Sequence, residues 1–504
     1  MTVQDHLQRF YRLQREYIMA GHAVQIVSWD WRAMTPKKAA AARADVIGAL
    51  SARENELLCA KNLRETMDFL TAHADLLNDR DRACVRILKR RSDRAICVPD
   101  ELFNEFSVLQ GKSEAAWEEA KRQNDWELYR PHLENMFSYT RRMMELWGYE
   151  GSPYNAMLGF CEEGMTTERL DALFSELRES ISALAAKVAA SPVEIDDSFC
   201  KTAFPVPQQR RMADMLLECM GFDKSRGLIA ESEHPYTCSF GLDDVRLTTH
   251  YYETQFLPAV FSTLHEGGHG LYEQSYDRAL DGTVAGCGLA SGMHESVSRF
   301  WENIVGRSQA FWEYMLPRLT EIFPEQLRGI TPEQMYCAVN KSGRSLLRME
   351  ADELTYNLHI ILRYELERDV FEGRARVADL PRLWNEKMQA SLGVTPRDNR
   401  TGILQDIQWS MGQFGYFPAY ALGNLYNAQY SARLKKELPF DALLRAGDFR
   451  TIFQWKQENL YRFGSIYTPD ELMTRVTGEI LSARYLIDHL TEKFSALYQL
   501  KEEA

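Results

Sequence analysis

The residues best suited to chemistry lie at positions 265–269, which read His265-Glu266-Gly267-Gly268-His269. On a helix, positions four apart are separated by about 40°, so both imidazoles leave one face. Two neutral imidazoles placed that way can grip one Zn2+ at about 2.0–2.1 Å. Glu266 leaves the helix elsewhere but can reach a water activated by the ion. Zinc lowers the pKa of such a water towards about 7, and a nearby carboxylate can take its proton and later pass it on. This is the metalloprotease arrangement. The bland alternative is a surface helix with two solvated histidines. Gly267 and Gly268 weigh both ways. They weaken a helix by about 1 kcal/mol each, yet they let something approach the backbone closely.

A catalytic zinc needs a third protein ligand and one open position. The metzincin pattern requires Gly at 272 and His at 275, but Tyr272 and Ser275 stand there, which excludes that class. The common remaining solution is a downstream Glu. Glu295, in Gly292-Met293-His294-Glu295-Ser296, follows His269 by 26 residues and opens a predicted second helix over 294–308. A helix–turn–helix returns it to the first helix. Glu302, Glu273 and His294 are the alternative ligands.

Two further segments carry chemistry. On a predicted helix over 345–368, Arg348, Asp352, Thr355 and His359 follow i, i+4, i+7 and i+11, while Leu347, Leu354, Leu358, Ile361 and Leu362 supply core contacts. Spacing alone reads as an exposed ion pair of small value. The sharper reading is a buried Arg348 guanidinium held by Asp352 and aimed at a substrate carboxylate. Residues 402–409 and 415–420 mix glycine, aromatics and amides. They form either an aromatic-packed loop or a segment that places Tyr416, Tyr420 or Gln408 as a donor near a developing oxyanion.

These residues need a scaffold, and helical periodicity dominates the chain. Residues 2–28, 40–60, 62–92, 99–122 and 125–147 carry apolar positions at helix spacing. Thr331-Pro332-Glu333-Gln334 and Thr468-Pro469-Asp470-Glu471 each place an N-cap Thr, Pro at the first helical position and a capping-box partner. Tyr467 and Leu472 stand where a hydrophobic staple forms. Long helices are expected over 331–368 and 469–499. One region breaks the pattern. Residues 235–256 carry aromatics and Thr near alternating positions around Gly241, which reads as a short antiparallel hairpin. Eight of the 29 glycines fall within 241–292, where a uniform spread places about three. Loops held by a rigid scaffold are where sites are usually built.

Composition bounds the remaining possibilities. The chain has 504 residues, 45% of them hydrophobic, and a net charge of −13. Length alone suggests about three domains. The absence of repeats and of Gly/Ser- or Pro-rich linkers favours instead one large helical domain over 1–504, with a helical part at about 1–150 and a zinc-site core at about 230–425. An acidic chain is poorly matched to nucleic acid or anionic lipid. The nine cysteines, Cys287 among them, are odd in number, scattered and without a CxxC pair, so neither a disulfide framework nor a cysteine zinc site is expected. The N-terminus MTVQDHLQRFYRLQREY has no apolar signal region, and no stretch reaches about 18 uncharged apolar residues. The most apolar helical stretch, 181–190, is short and carries Lys187. A soluble, cytoplasmic protein is expected.

At this point the chain resembles the thermostable, Taq-type zinc carboxypeptidase family, along nearly its whole length. Ser28-Trp29-Asp30 and Arg43 open the match. His234-Pro235-Tyr236 is similar to an HPF motif with Tyr for Phe, and Asp244-Val245-Arg246-Leu247-Thr248 to DxRxT. The HEGGH motif with its Tyr272-Glu273-Gln274 tail, and His294-Glu295-Ser296, match the metal motifs. Leu347 to Asp352 is similar to IRxxAD, and Gly402 to Trp409 to GxxQDxHW, followed by GYFP. The resemblance implies a mainly α-helical, two-lobed neurolysin-like fold with a deep cleft. It implies removal of single C-terminal residues from peptides with a free C-terminus, one Zn2+ (or Co2+) per chain, and a homodimer. It makes His265, His269 and Glu295 the ligands, Glu266 the base and Arg348 the carboxylate clamp. Should Arg348 be structural instead, Arg246 is the next candidate. Two positions depart from the family pattern: Val297 stands for Gln and Gln408 for His. Gln408 still donates a hydrogen bond but does not titrate near neutrality.

The expected function is therefore a zinc-dependent carboxypeptidase of broad specificity. An oligopeptidase or dipeptidase using the same site differs in its products, and a zinc-binding scaffold impaired by Val297 and Gln408 differs in showing no turnover.

Overall fold

Capping residues set most helix boundaries. In the computed structural model, which describes residues 2–286, 288 and 290–501, Thr2 closes a capping box on Asp5 and starts the helix Val3–Ala33. Helices Ala40–Leu58, Lys61–Ala72, Asp79–Cys97, Asp100–Gln123 and Trp126–Trp147 follow. The single helix expected over 62–92 is two helices. Asn78 accepts the Asp81 amide at 2.9 Å and so starts a new helix, because its side chain competes with backbone continuation. The Thr331–Gln334 and Thr468–Glu471 capping boxes both form.

The long helices expected behind those boxes are interrupted. The first runs only from Pro332 to Val339. Irregular chain with a 3-10 turn at Arg348–Glu350 follows, and a new helix covers Tyr356–Phe371. Four donors on Asp352, described below, stabilise the break. The second ends at Gly478, whose φ of 86° is the left-handed conformation that terminates a helix, and a separate helix covers Arg484–Leu497.

The expected hairpin is part of a larger sheet. Strands β1 (Gly227–Glu231), β2 (Thr237–Ser239) and β3 (Val245–Thr249) lie in the order β1-β3-β2. β2 and β3 pair antiparallel, with Cys238 opposite Arg246, as the alternation indicates. β1 adds in parallel, Gly227 opposite Val245. Its five residues, GLIAE, carry too little alternation to announce a strand. β2 is left as an edge.

Two hydrophobic clusters form. Leu7, Phe10, Leu63, Met67, Leu70 and Leu88 of the first helices pack with Leu242, Tyr276 and Leu280. A much larger cluster takes in most of the remaining helices, from Leu102 to Tyr498. Among the described residues no helix is long and apolar enough to cross a membrane. All the cysteines described are free thiols; Cys287 lies outside the described residues.

Candidate active site

Two crossing helices carry the chemical residues. The motif helix, Leu257–Glu273, starts with Pro258 in its first turn and bears His265, Glu266 and His269. The second helix, Ser291–Arg299, bears Glu295 and continues as a wider π-helical turn over Phe300–Val305. Gly268 explains how close they come. A Cβ there would lie 2.7 Å from Ser298 Cα and 2.8 Å from the Val297 carbonyl oxygen. The helix Phe417–Glu437 closes the other side of the second helix at Gly423, where a Cβ would lie 2.7 Å from Glu295 Cγ. The helix that carries Glu295 is thus clamped between two others at two glycines, which no side chain can replace without moving a helix.

His265, His269 and Glu295 each aim a ligand atom at a common point, all within 4.8 Å of one another. Glu295 Oε1 lies 3.9 Å from His265 Nε2, and its Oε2 lies 3.8 Å from His269 Nε2. A tetrahedral ion with bonds of about 2.0–2.2 Å holds its ligand atoms about 3.3–3.5 Å apart, so the two histidine–glutamate separations need close by only a few tenths of an ångström to meet that geometry. The protonation pattern fits as well. His265 Nδ1 lies 2.8 Å from Glu302 Oε2. Burial disfavours the Glu302 carboxylate, but Arg299 and His265 outweigh it and bring its pKa down to about 2. An ionised Glu302 only accepts, so Nδ1 carries the hydrogen and Nε2 keeps its lone pair for a metal. Burial, His294 and His265 hold His269 well below the ordinary histidine range, neutral and able to ligate. Burial also opposes charge on His265, yet Glu295, Glu302 and Glu266 raise its pKa. A bound ion would take the place of that proton.

The alternative ligands are occupied otherwise. Glu302 serves His265 from behind, while His294 Nε2 and Glu273 Oε1 pair with each other at 2.9 Å. Glu266 is buried beside the ligands, and Thr237 of β2 donates to its Oε2 at 2.6 Å. Burial, more than any other influence, raises the Glu266 pKa above the ordinary carboxylate range.

Arg348 is buried, as the sharper reading requires, but Asp352 does not hold it. Arg348 lies on the 3-10 turn rather than on a continuous helix, so the i,i+4 relation is broken. Asp352 instead accepts from the amides of Gly343, Leu354 and Thr355 and from the Thr355 hydroxyl, at 2.9–3.0 Å. Asp406 takes its place: Oδ1 accepts Arg348 Nε and Nη2 at 2.9 Å, and Oδ2 accepts Arg363 Nε at 2.6 Å. Thr355 donates to Asp352 instead, and both His359 ring nitrogens are buried without a hydrogen bond.

The tyrosines gather on the same side. Tyr416 and Tyr420 pack edge to face at 5.3 Å, and the Arg348 guanidinium lies 5.2 Å from the Tyr420 ring centre. Gln408 Nε2 reaches the Tyr420 hydroxyl at 3.4 Å. Arg246 is engaged elsewhere. Asp244 takes it bidentately at 2.7–2.8 Å, with the Trp29 and Phe240 rings 5.0 and 4.8 Å away.

A family model described as Carboxypeptidase Taq (M32) metallopeptidase matches residues 9–494. The chain belongs to the M32 metallocarboxypeptidase family. It is 40% identical to Carboxypeptidase 1 of Bacillus subtilis over 501 residues, covering 99% of this chain and 100% of the relative. It is 37% identical to Thermostable carboxypeptidase 1 of Thermus thermophilus over 510 residues, covering 99% and 100%. Among solved structures, the M32 carboxypeptidase from Deinococcus radiodurans R1 superimposes with a TM-score of 0.95 at 35% identity, covering 98% of this chain and 100% of that one. Trypanosoma cruzi metallocarboxypeptidase 1 superimposes with a TM-score of 0.94 at 31% identity, covering 98% and 100%. The family resemblance and the mainly helical class with a small sheet are thereby borne out.

Within this M32 chain, the two departures differ in character. Val297 is buried in the core beside the helix crossing. Gln408 faces Tyr420, and its Oε1 is buried without a partner. Sequence reasoning missed Thr237, Arg299, Tyr356, Asp406 and Gly423. Glu302, weighed as a ligand, sits seven positions after Glu295, two helical turns on, which was the available signal for a residue on the same face.

Proposed function

We propose that the protein is a zinc-dependent carboxypeptidase of broad specificity that releases single residues from peptides with a free C-terminus. The observation that carries this reading is the convergence of His265, His269 and Glu295 within 4.8 Å, with buried Glu266 one residue from a ligand. His265, His269 and Glu295 would hold the ion. When bound, Zn2+ supplies Lewis acidity, making a water more acidic and a carbonyl carbon more electrophilic.

The side chains do the rest. Glu266 accepts a proton from the attacking water, oriented by Thr237 from the edge strand, and delivers it to the departing amine nitrogen as the C–N bond breaks. Arg348 pairs with the terminal carboxylate. Its environment suits that role, because Asp406 neutralises only one of the two guanidiniums it touches. Tyr416 or Tyr420 donates to the old carbonyl oxygen as negative charge develops on it, with Gln408 orienting the substrate. The free edge of β2 takes the peptide backbone by strand addition, which reads main chain and so leaves side-chain specificity broad. As part of the same reading, the enzyme is a cytoplasmic homodimer.

Mass spectrometry of a peptide library incubated with zinc-loaded protein tests the proposal. Ladders of single-residue losses from free C-termini, abolished by chelation and restored by Zn2+ or Co2+, are expected. Internal cuts or two-residue losses would replace this reading with an oligopeptidase, and zinc content without products with a scaffold.

A further inference from the structure

Tyr356 opens the helix Tyr356–Phe371 and is 7% exposed. Its hydroxyl oxygen lies 3.2 Å from Arg348 Nη1 and 3.0 Å from Arg299 Nη2. Guanidinium groups only donate, so this oxygen accepts from both. The Arg299 guanidinium also lies 4.5 Å from the centre of the Tyr356 ring. Arg299 donates to Glu295 Oε1 at 2.8 Å and pairs with Glu302 Oε2 at 3.1 Å, and Glu302 holds His265. One phenol oxygen therefore joins the side chains around the proposed metal ligands to the arginine proposed to bind the substrate carboxylate. It joins two cations through a neutral atom, where a carboxylate would have cancelled the charge Arg348 needs.

We propose that Tyr356 is a positioning residue that sets the one-residue register of cleavage. A carboxypeptidase must hold its carboxylate-binding group one residue beyond the bond it cuts, and a displacement of about 1 Å can cost on the order of a hundredfold in rate. Asp406 restrains Arg348 through Nε and Nη2. Tyr356 restrains it through Nη1 and links it by way of Arg299 to Glu295. The inference rests on the reading of Arg348 as the carboxylate clamp.

The experiment compares wild type with Tyr356→Phe on one peptide sequence, supplied as free acid and as C-terminal amide. It records KM, kcat, the released products and the zinc affinity by chelator competition. Wild type should prefer the acid strongly; equal cleavage of both would remove the clamp reading and this inference with it. Given that preference, Tyr356→Phe leaves two buried N–H groups without an acceptor. The acid-over-amide ratio should then fall about tenfold, carried by KM, with dipeptide release appearing beside single residues. Zinc affinity should change by less than about threefold, because Arg299 keeps both carboxylates, whereas general damage to the site would lower it by about ten- to a hundredfold. A variant that keeps the wild-type ratio and product ladder overturns the proposal, whatever its overall rate. Should the Phe variant not fold, 4-aminophenylalanine at 356 keeps the size and a neutral polar group, but its aniline nitrogen has a single delocalised lone pair and cannot accept from both guanidiniums. It should lower the ratio part-way, and an unchanged ratio there overturns the proposal equally.

Discussion

Thr237 Oγ1 donates to Glu266 Oε2 at 2.6 Å, so a side chain of the edge strand fixes the orientation of the carboxylate proposed as the base. The same hydroxyl lies 3.2 Å from the Glu266 carbonyl oxygen, which ties strand and helix together at the site. Removing the donor leaves a buried carboxylate with one hydrogen bond fewer. Thr237→Val should lower kcat about tenfold, the cost of one such bond, with zinc content unchanged. Thr237→Ser should stay close to wild type. Glu266→Gln should also keep zinc but lose most turnover, and near-normal turnover in that variant would remove Glu266 as the base.

Glu302 lies 2.8 Å from Nδ1 of His265, a proposed metal ligand, and so supports it from behind. Glu302→Gln can still accept from that nitrogen but no longer neutralises Arg299, and Glu302→Ala does neither. Zinc affinity should fall about ten- to a hundredfold in the Ala variant and less in the Gln variant. Competition against a chromophoric chelator measures both. An Ala variant with wild-type affinity would show that Glu295 and the histidines need no support from behind.

Asp406 is the counter-ion of two buried guanidiniums. Burial raises its pKa, but Arg363 and Arg348 outweigh burial and bring it down to about 2. The folded value lies below the unfolded one, so this carboxylate contributes stability above about pH 4, which is lost as pH falls towards 2. The contribution is on the order of 2 kcal/mol. Asp406→Asn should destabilise by about 3–5 kcal/mol in urea unfolding at pH 7 and flatten the acid limb. Arg348→Ala should lose orders of magnitude on free-acid peptides and much less on amides. Equal losses on both would make Arg348 structural.

The features written in contiguous residues were legible in the sequence. The i,i+4 histidines, the capping boxes at Thr331 and Thr468 and the alternation within 235–256 each report a local preference, and the structure forms a helix, two capped starts and an antiparallel pair there. What was not legible depends on chain segments far apart in sequence. Arg348 finds Asp406, 58 positions on, because the chain between Val339 and Tyr356 leaves the helix, and no spacing rule anticipates that partner. Strand β1 forms because β3 offers it an edge, not because GLIAE demands it. Gly423 looks like a poor helix residue until Glu295 is seen against it. Tyr356 carried no signal at all, since its role exists only between two arginines that other elements deliver.

The oxyanion donor can be assigned by kinetics. Tyr420 lies beside Arg348, Tyr416 packs on Tyr420, and Gln408 contacts Tyr420 through a long 3.4 Å bond. A tyrosine as principal donor predicts that Tyr→Phe at one of the two positions lowers kcat about a hundredfold or more with little change in KM. Gln408→His should raise activity modestly and introduce a pH dependence near neutrality. If both Phe variants keep full kcat while Gln408→Ala is inactive, the amide is the donor.

Lys456 is the one buried cation for which this fold supplies no carboxylate among the described residues. Its Nζ is fully buried, donates to Tyr430 Oη at 3.3 Å and lies 3.6 Å from the Phe300 ring centre, with the Tyr430 and Tyr461 rings at 5.0 and 5.2 Å. The aromatic faces offset part of the cost of a charge there, by about 0.5–2 kcal/mol. Burial wins and holds the lysine well below its ordinary range. The folded pKa is depressed, so between that value and about 10.4 the unfolded chain binds more protons, and stability rises with pH across this window. Lys456→Met fills similar space without a charge to desolvate. It should raise stability at pH 7 by on the order of 1–2 kcal/mol and remove most of the gain between pH 7 and 9. Urea unfolding at the two pH values measures both effects. A Met variant that is less stable than wild type at pH 7 would show that the ring contacts and the Tyr430 bond outweigh desolvation, and that the lysine is charged in the folded protein.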